Sequence, residues 1–198
     1  RLRSTSWKPL AAVTLFTYVL AFSLAYVSLD ASTGSLLLFG TVQITMVIAG
    51  LHSGERLAPL NVAGMLTAAS GVAWLLWPGV SAPNPIGAAL MVTAGIAWGS
   101  YSLMGRGGSQ PIATTAHNFA LATPMAILAM TCSSQQLSIT TSGAWLAIAS
   151  GALTSGLGYA LWYMALPSHS ATKAAALQLS VPIIAAVGRV AFLDEAVS

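Results

Sequence analysis

Between Leu57 and Gly105, and again between Gly107 and Thr172, the chain contains no Asp, Glu, Lys or Arg. Only Arg106 separates these two charge-free stretches. A soluble fold of this length needs a solvated polar face, and neither stretch can supply one. Charged residues make up 6% of the 198 residues and the set AVILMFWYC 56%, where a soluble domain carries about a quarter charged. The expected solvent is therefore a lipid bilayer. A helix needs about 20 mostly apolar residues to cross it, and only helices or closed barrels satisfy every backbone group there. The apolar runs are continuous rather than alternating, which argues against barrel strands. The expected fold class is an all-α integral membrane protein, a polytopic helix bundle.

Cutting at turn-forming clusters gives seven spans: Pro9–Leu29, Thr33–Leu51, Ala58–Trp77, Pro85–Met104, Ile112–Thr131, Gly143–Leu166 and Ala171–Leu193. The breaks read "DAST", "HSGER", "PGVSAPNP", "GRGGSQP", "SSQQLSITTS" and "PSHS", too short to hold a soluble domain. The basic start "RLRSTSWK" ahead of an apolar run has the look of a signal peptide. Six further spans follow it, so it is read as the approach to the first span. With residue 1 on one side, Arg1, Arg3, Lys8, Arg56, Arg106 and Lys173 all fall on that side, and Arg189 alone on the other. By the positive-inside rule the residue 1 side is cytoplasmic. The basic pI of 9.4 then reflects a cytoplasmic rim rather than a groove for nucleic acid.

Two of the four acidic residues are glutamates, Glu55 in "GLHSGERL" and Glu195 in "FLDEAVS". Each follows a span, but five spans separate the second from the seventh, so they emerge on opposite faces. If the two regions copy one unit, the copies are inverted. Sliding residues 23–29 onto 160–166, an offset of 137, matches Leu24, Tyr26 and Leu29 with Leu161, Tyr163 and Leu166. The offset has grown to 140 at the glutamates, which places three inserted residues within the seventh span.

"SLAYVSLDASTGSLLLFGTVQITMVIAG" followed by "GERL", and "GYALWYMALPSHSATKAAALQLSVPIIA" followed by "LDEAVS", resemble the third and fourth helices of an EamA unit and the eighth and ninth of its second copy. The chain thus resembles EamA-type transporters of the drug/metabolite transporter superfamily. That resemblance implies ten helices in two inverted five-helix repeats, of which helices three to nine are present. It divides the chain into 1–81, the last three helices of the first repeat, and 82–198, the first four of the second. The missing initiator Met and the end just past Glu195 fit a truncated chain. The resemblance also implies a permease of a bacterial inner membrane, with export favoured over import. Inverted repeats around a central site permit alternating access.

The candidate path is read from residues that the lipid does not explain. Gln43 and, near Pro182, Gln178 and Ser180 lie at mid-depth. Buried amides are costly unless paired, so they serve either as interhelical glue or as groups for a ligand. Trp98, Tyr101, Tyr159 and Trp162 add aromatic surface, of which Trp98 and Tyr159 lie too deep for an interfacial belt. Asn118 stands beside His117, the one titratable group well inside a span. Together Gln43, Trp98, Tyr101, Asn118, Tyr159, Trp162, Gln178 and Ser180 suggest a cavity for amphipathic metabolites such as amino acids. Pro124 and Pro182 are candidate hinges, since a mid-helix proline removes a backbone bond. Glu55 and Glu195 are either solvated interfacial acids or latches of the two gates.

Small residues recur at every fourth position in Gly143, Ala147, Gly151 and Ser155, and Gly95 and Gly99 form a GxxxG pair; both patterns predict close helix packing. No Asp or Glu lies at mid-depth, where a proton relay would need one. No enzyme is expected. Cys132 is alone, the histidines lack ligand spacing, and "GRGG" at 105–108 has no phosphate-loop context. No metal or cofactor is expected, and the partners are the bilayer and a small-molecule substrate. A seven-helix receptor or sensor is the alternative; a retinal pump would need a mid-membrane Lys, and Lys173 sits at a helix end.

Overall fold

A computed structural model describes residues 9–56, 83–106, 110–132 and 140–178, with isolated helical positions between 59 and 70 and at 181. The third expected span and most of the seventh lie outside the described residues. The described helices are α1 (Pro9–Ala25), α2 (Ala31–His52), α3 (Pro85–Gly105), α4 (Pro111–Cys132), α5 (Thr141–Ala149), α6 (Gly158–Ala165) and α7 (Ala171–Gln178). Ser150–Leu157, between α5 and α6, is π-helical, and Leu166–Ser168 forms a 3-10 turn before α7. No strand occurs among the described residues. Four stretches are long and apolar enough to cross a membrane: Thr33–His52, Pro85–Gly105, Pro111–Thr131 and Thr141–Ser168. The protein is an all-α, multi-pass membrane protein.

Helix starts follow from local chemistry. The Asp30 carboxylate accepts the Thr33 N–H at 2.8 Å and Asn84 accepts those of Ile86 and Gly87 at 3.0 Å, with Pro85 following at the first helical position. Thr140 accepts the Gly143 N–H at 3.1 Å, and Ser170 that of Lys173 at 3.2 Å. Each satisfies donors a helix start leaves unpaired. Within the membrane, Thr45, Thr93 and Thr123 return their hydroxyls to the carbonyl four residues earlier. Polar side chains are thereby carried at no cost to the lipid.

α3 is the central post: it packs against α1 on one side and α2 on the other, α4 lies on α1, and α7 lies on α2. Leu15, Val42, Met46, Met91, Ala94 and Tyr101 fill the core between them. A Cβ at Gly95 would stand 2.6 Å from Thr41 Cβ and 2.9 Å from the Leu38 carbonyl, and at Gly99 it would stand 3.0 Å from Thr45. The GxxxG pair is thus a contact surface between α3 and α2. The other stripe differs. α5 and the π-helical segment bury no residue, and at Gly151 an added Cβ would meet nothing within 4 Å. Among the described residues the predicted packing of that stripe does not occur.

Three local details bear on the expectations above. The first helix stops at Ala25, and Tyr26–Leu29 form a turn whose N–H groups bond back to Phe22, Leu24 and Ala25. α2 and α7 begin at Ala31 and Ala171, already 140 apart, so if the two regions are copies the three extra residues fall before α7 rather than inside the seventh span. The α-helix runs unbroken through Pro124, which is exposed on the outer face of α4. An irregularity that was not foreseen is the π-helical stretch Ser150–Leu157; π turns are often found at functional sites.

Candidate functional site

At the centre of the bundle the indole N–H of Trp98 donates to Gln178 Oε1 at 2.6 Å. The Gln178 amide N–H in turn contacts Met46 Sδ at 3.2 Å. This short chain joins α3, α7 and α2. Around Trp98 the rings of Tyr159, Tyr18 and Tyr101 stand at centroid distances of 4.8, 5.0 and 5.7 Å. Phe119 stacks on Tyr159 at 5.4 Å. These are attractive spacings for offset and tilted aromatic pairs.

A second layer lies toward the Arg106 end of α3. Tyr163 stacks on Tyr101 at 4.8 Å, donates its hydroxyl to the Tyr101 carbonyl at 2.9 Å, and lies against Gly105, where a Cβ would be 2.5 Å from its ring. Trp162 donates to Ser102 Oγ at 3.0 Å. Asn118 donates to the Tyr101 hydroxyl across 3.4 Å, a long bond. Six of the eight expected path residues (Trp98, Tyr101, Asn118, Tyr159, Trp162 and Gln178) therefore fall in one connected cluster.

Gln43 is also buried, 1% exposed, and neither its amide nitrogen nor its oxygen has a hydrogen-bond partner. It lies one turn from Met46 on α2, and residues three apart share a helix face. Ser180, Pro182 and Glu195 lie outside the described residues. An apolar groove lined by Gln110, Pro111, Ile112, Ala113, Ala116 and Met164 opens on the outside of the bundle, and it contains none of the expected path residues. Sequence reasoning missed Tyr18 and Phe119. Tyr18, Phe22 and Tyr26 recur every fourth residue, a visible stripe whose rings pack in series at 5.5 and 4.8 Å.

The other polar cluster stands at one end of the bundle. α2 stops at Gly54, whose φ of 79° is a left-handed conformation open to glycine. The Gly54 N–H then bonds to the Leu51 carbonyl and the Glu55 N–H to that of Gly50, both at 2.9 Å. This is the Schellman stop of a helix, and it aims Glu55 back across Gly50. The carboxylate accepts the Ala171 N–H at 2.9 Å and the Thr172 N–H at 3.1 Å, capping α7. Arg106, just past α3, completes an ion pair at 3.0 Å. A Cβ on Gly50 would come within 2.9 Å of Glu55 Oε2 and 3.0 Å of Thr172. Partial burial pushes the Glu55 carboxyl upward, but the two backbone donors and Arg106 outweigh it and hold it below the ordinary carboxylate range. Among the described residues no cluster of His, Cys, Asp or Glu could hold a metal ion.

A polytopic helix bundle whose polar and aromatic groups converge in its interior, with apolar side chains such as Leu128 and Leu161 outside, has the build of a membrane transporter. The chain belongs to the EamA-like transporter family, which residues 85–198 match, within the drug/metabolite transporter superfamily. It is 50% identical over 189 residues to the uncharacterized protein PA1977 of Pseudomonas aeruginosa, covering 96% of this chain and 65% of that relative. The chain thus spans under two thirds of the relative's length. No solved structure matches it.

Proposed function

We propose that this chain is the central part of a permease that moves small amphipathic metabolites, amino acids or related compounds, out of the cell by alternating access. The residue 1 side is cytoplasmic and the membrane is the bacterial inner membrane. The observation that carries this reading is the Gln43 amide, buried without a partner one turn from the residue that touches the Trp98–Gln178 pair. Leaving a buried amide unmet costs about 1–3 kcal/mol, and a ligand that brings its own donor and acceptor removes that cost. The adjoining rings suit the apolar part of such a ligand, and their faces attract an ammonium group.

Support for two inverted halves, divided near residues 81 and 82, comes from matched burial. Leu24 and Leu161 are both exposed and Leu29 and Leu166 both buried, while of the third pair Tyr26 is half-buried and Tyr163 fully buried. The cluster is closed in this structure, with Tyr101 0% and Trp98 8% exposed, as an occluded stage of a transport cycle would be. Pro124, Pro182 and the two glutamates remain the proposed moving parts. The test is counterflow of an amino-acid and amine panel by the full chain in proteoliposomes. Saturable counterflow lost in Gln178→Ala and Trp98→Ala supports a carrier with its site at this cluster. A folded protein that moves no compound favours a receptor or sensor.

A further inference from the structure

We propose that α7 is a lever joining the Glu55 latch to the buried aromatic site, so that opening one end releases the other. The proposal rests on the carrier reading above and adds a coupling to it. The described part of α7 is held at two points and by different chemistry. At its start, Glu55 takes the N–H groups of Ala171 and Thr172 while bound to Arg106. Seven residues further on, Gln178 is fixed by Trp98 and Met46. The two points are about 10 Å apart along the helix, and two continuous helical turns move as one body.

The latch joins three segments far apart in the sequence: the stop of α2, the exit of α3 and the entry of α7. Ala171, Ala174 and Ala175 present a smooth, fully buried face of α7 along this seam, so little side-chain interdigitation opposes its sliding against α2. The retaining force is concentrated in the two polar ends. A ligand that competes for the Gln178 amide frees the inner end, and the strain on the outer end then rests on Glu55 alone. Conversely, losing the Glu55 cap leaves two helix N–H groups without partners and lets α7 tilt away from Trp98.

The test reads the seam directly and needs no substrate. In a Cys132→Ser background, Ala174→Cys places a thiol one turn inside the latch, and Met91→Cys places a control thiol elsewhere in the core. Labelling by a membrane-impermeant maleimide is followed in sealed vesicles that expose the Glu55 end. Glu55→Gln and Arg106→Gln are each expected to speed labelling at position 174 by about tenfold, as the loss of a charge-assisted bond implies. Gln178→Leu, two turns from the latch and one from position 174, is expected to speed it comparably, and the Glu55→Gln/Gln178→Leu pair to add little to either alone. An unchanged rate in Glu55→Gln overturns the latch. A rise there without one in Gln178→Leu overturns the lever. An equal rise at position 91 overturns both, because Glu55 would then serve general stability. Counterflow measured in parallel separates the two readings: transport lost while seam labelling is unchanged removes the coupling and leaves the carrier.

Discussion

Two stripes of small residues run along this chain, and the fold treats them oppositely. Gly95 and Gly99 are pressed against Thr41 and Thr45 of α2. Gly143, Ala147, Gly151 and Ser155 stand on a helix that buries nothing among the described residues. Spacing of four is therefore a permission for close approach, not a cause of it. What differs is the partner. α2 offers β-branched threonines whose hydroxyls are already returned to their own backbone, as at Thr45, so a methyl face is left for the glycine groove. Thr154 likewise returns its hydroxyl to Ser150, but among the described residues it is exposed and no facing helix packs on this segment. Where contact is made, dispersion holds α3 to α2; the other stripe runs into the π-helical turns of Ser150–Leu157 with no buried residue among those described.

This contrast is sharpened most by overfilling each stripe. Gly95→Leu must displace both a side chain and the Leu38 carbonyl, and is expected to cost about 3 kcal/mol, read as a lowered thermal midpoint in detergent. A midpoint within error of the parent would dissolve the distinction between the stripes. Acid provides the next test, since the packed seam ends in the Glu55–Arg106 pair. The folded state holds the Glu55 carboxyl low, so the stabilisation is complete at neutral pH, above the unfolded value of about 4.3. It falls away as pH drops through the lower folded value. Arg106 is the charged group bound to it, with Arg56, His52, His169 and Lys173 at the same end of the bundle. The loss should be about 2 kcal/mol in the parent and absent in Glu55→Gln; superimposable pH–stability curves would show the pair to be inert.

Within the packed region one substitution should run the other way. Gln43→Leu removes an unmet amide and is expected to raise stability by about 1 kcal/mol while abolishing counterflow. A stability loss would instead mark Gln43 as interhelical glue. The smallest effect belongs to the open stripe. Gly151→Ala should change stability by no more than about 0.5 kcal/mol, in the stabilising direction that alanine's helix preference gives. A loss as large as that of Gly95→Leu would mean that the stripe is covered after all.

The sequence made the helical, membrane-spanning class plain because charge exclusion is a bulk property that no packing detail can undo. Six of the eight expected path residues meet in the structure for a similar reason: amides and deep aromatics are too costly in lipid to be scattered. The failures lie where a residue's meaning depends on its neighbour. Arg106 could have been paired with Glu55 from topology alone, since both were assigned to one face. Phe119 was overlooked because a single aromatic in an apolar helix carries no mark of direction, and Tyr18 because its stripe with Phe22 and Tyr26 does not say which helix it faces. The α-helix continues through Pro124, whereas Ser150–Leu157 is π-helical without any proline. Composition reports the solvent of a helix, but only its contacts report its shape.

The bond between Trp98 and Gln178 has an economic side in the carrier proposed above. A pocket plugged by its own side chains must be emptied before it can be filled. If the emptied form is about 1% of the population, apparent affinity weakens about a hundredfold relative to the open pocket. Such a protein would ignore its substrate at ordinary concentrations and respond once the substrate accumulates. The 2.6 Å contact would then act as a threshold, setting the internal level at which outflow begins.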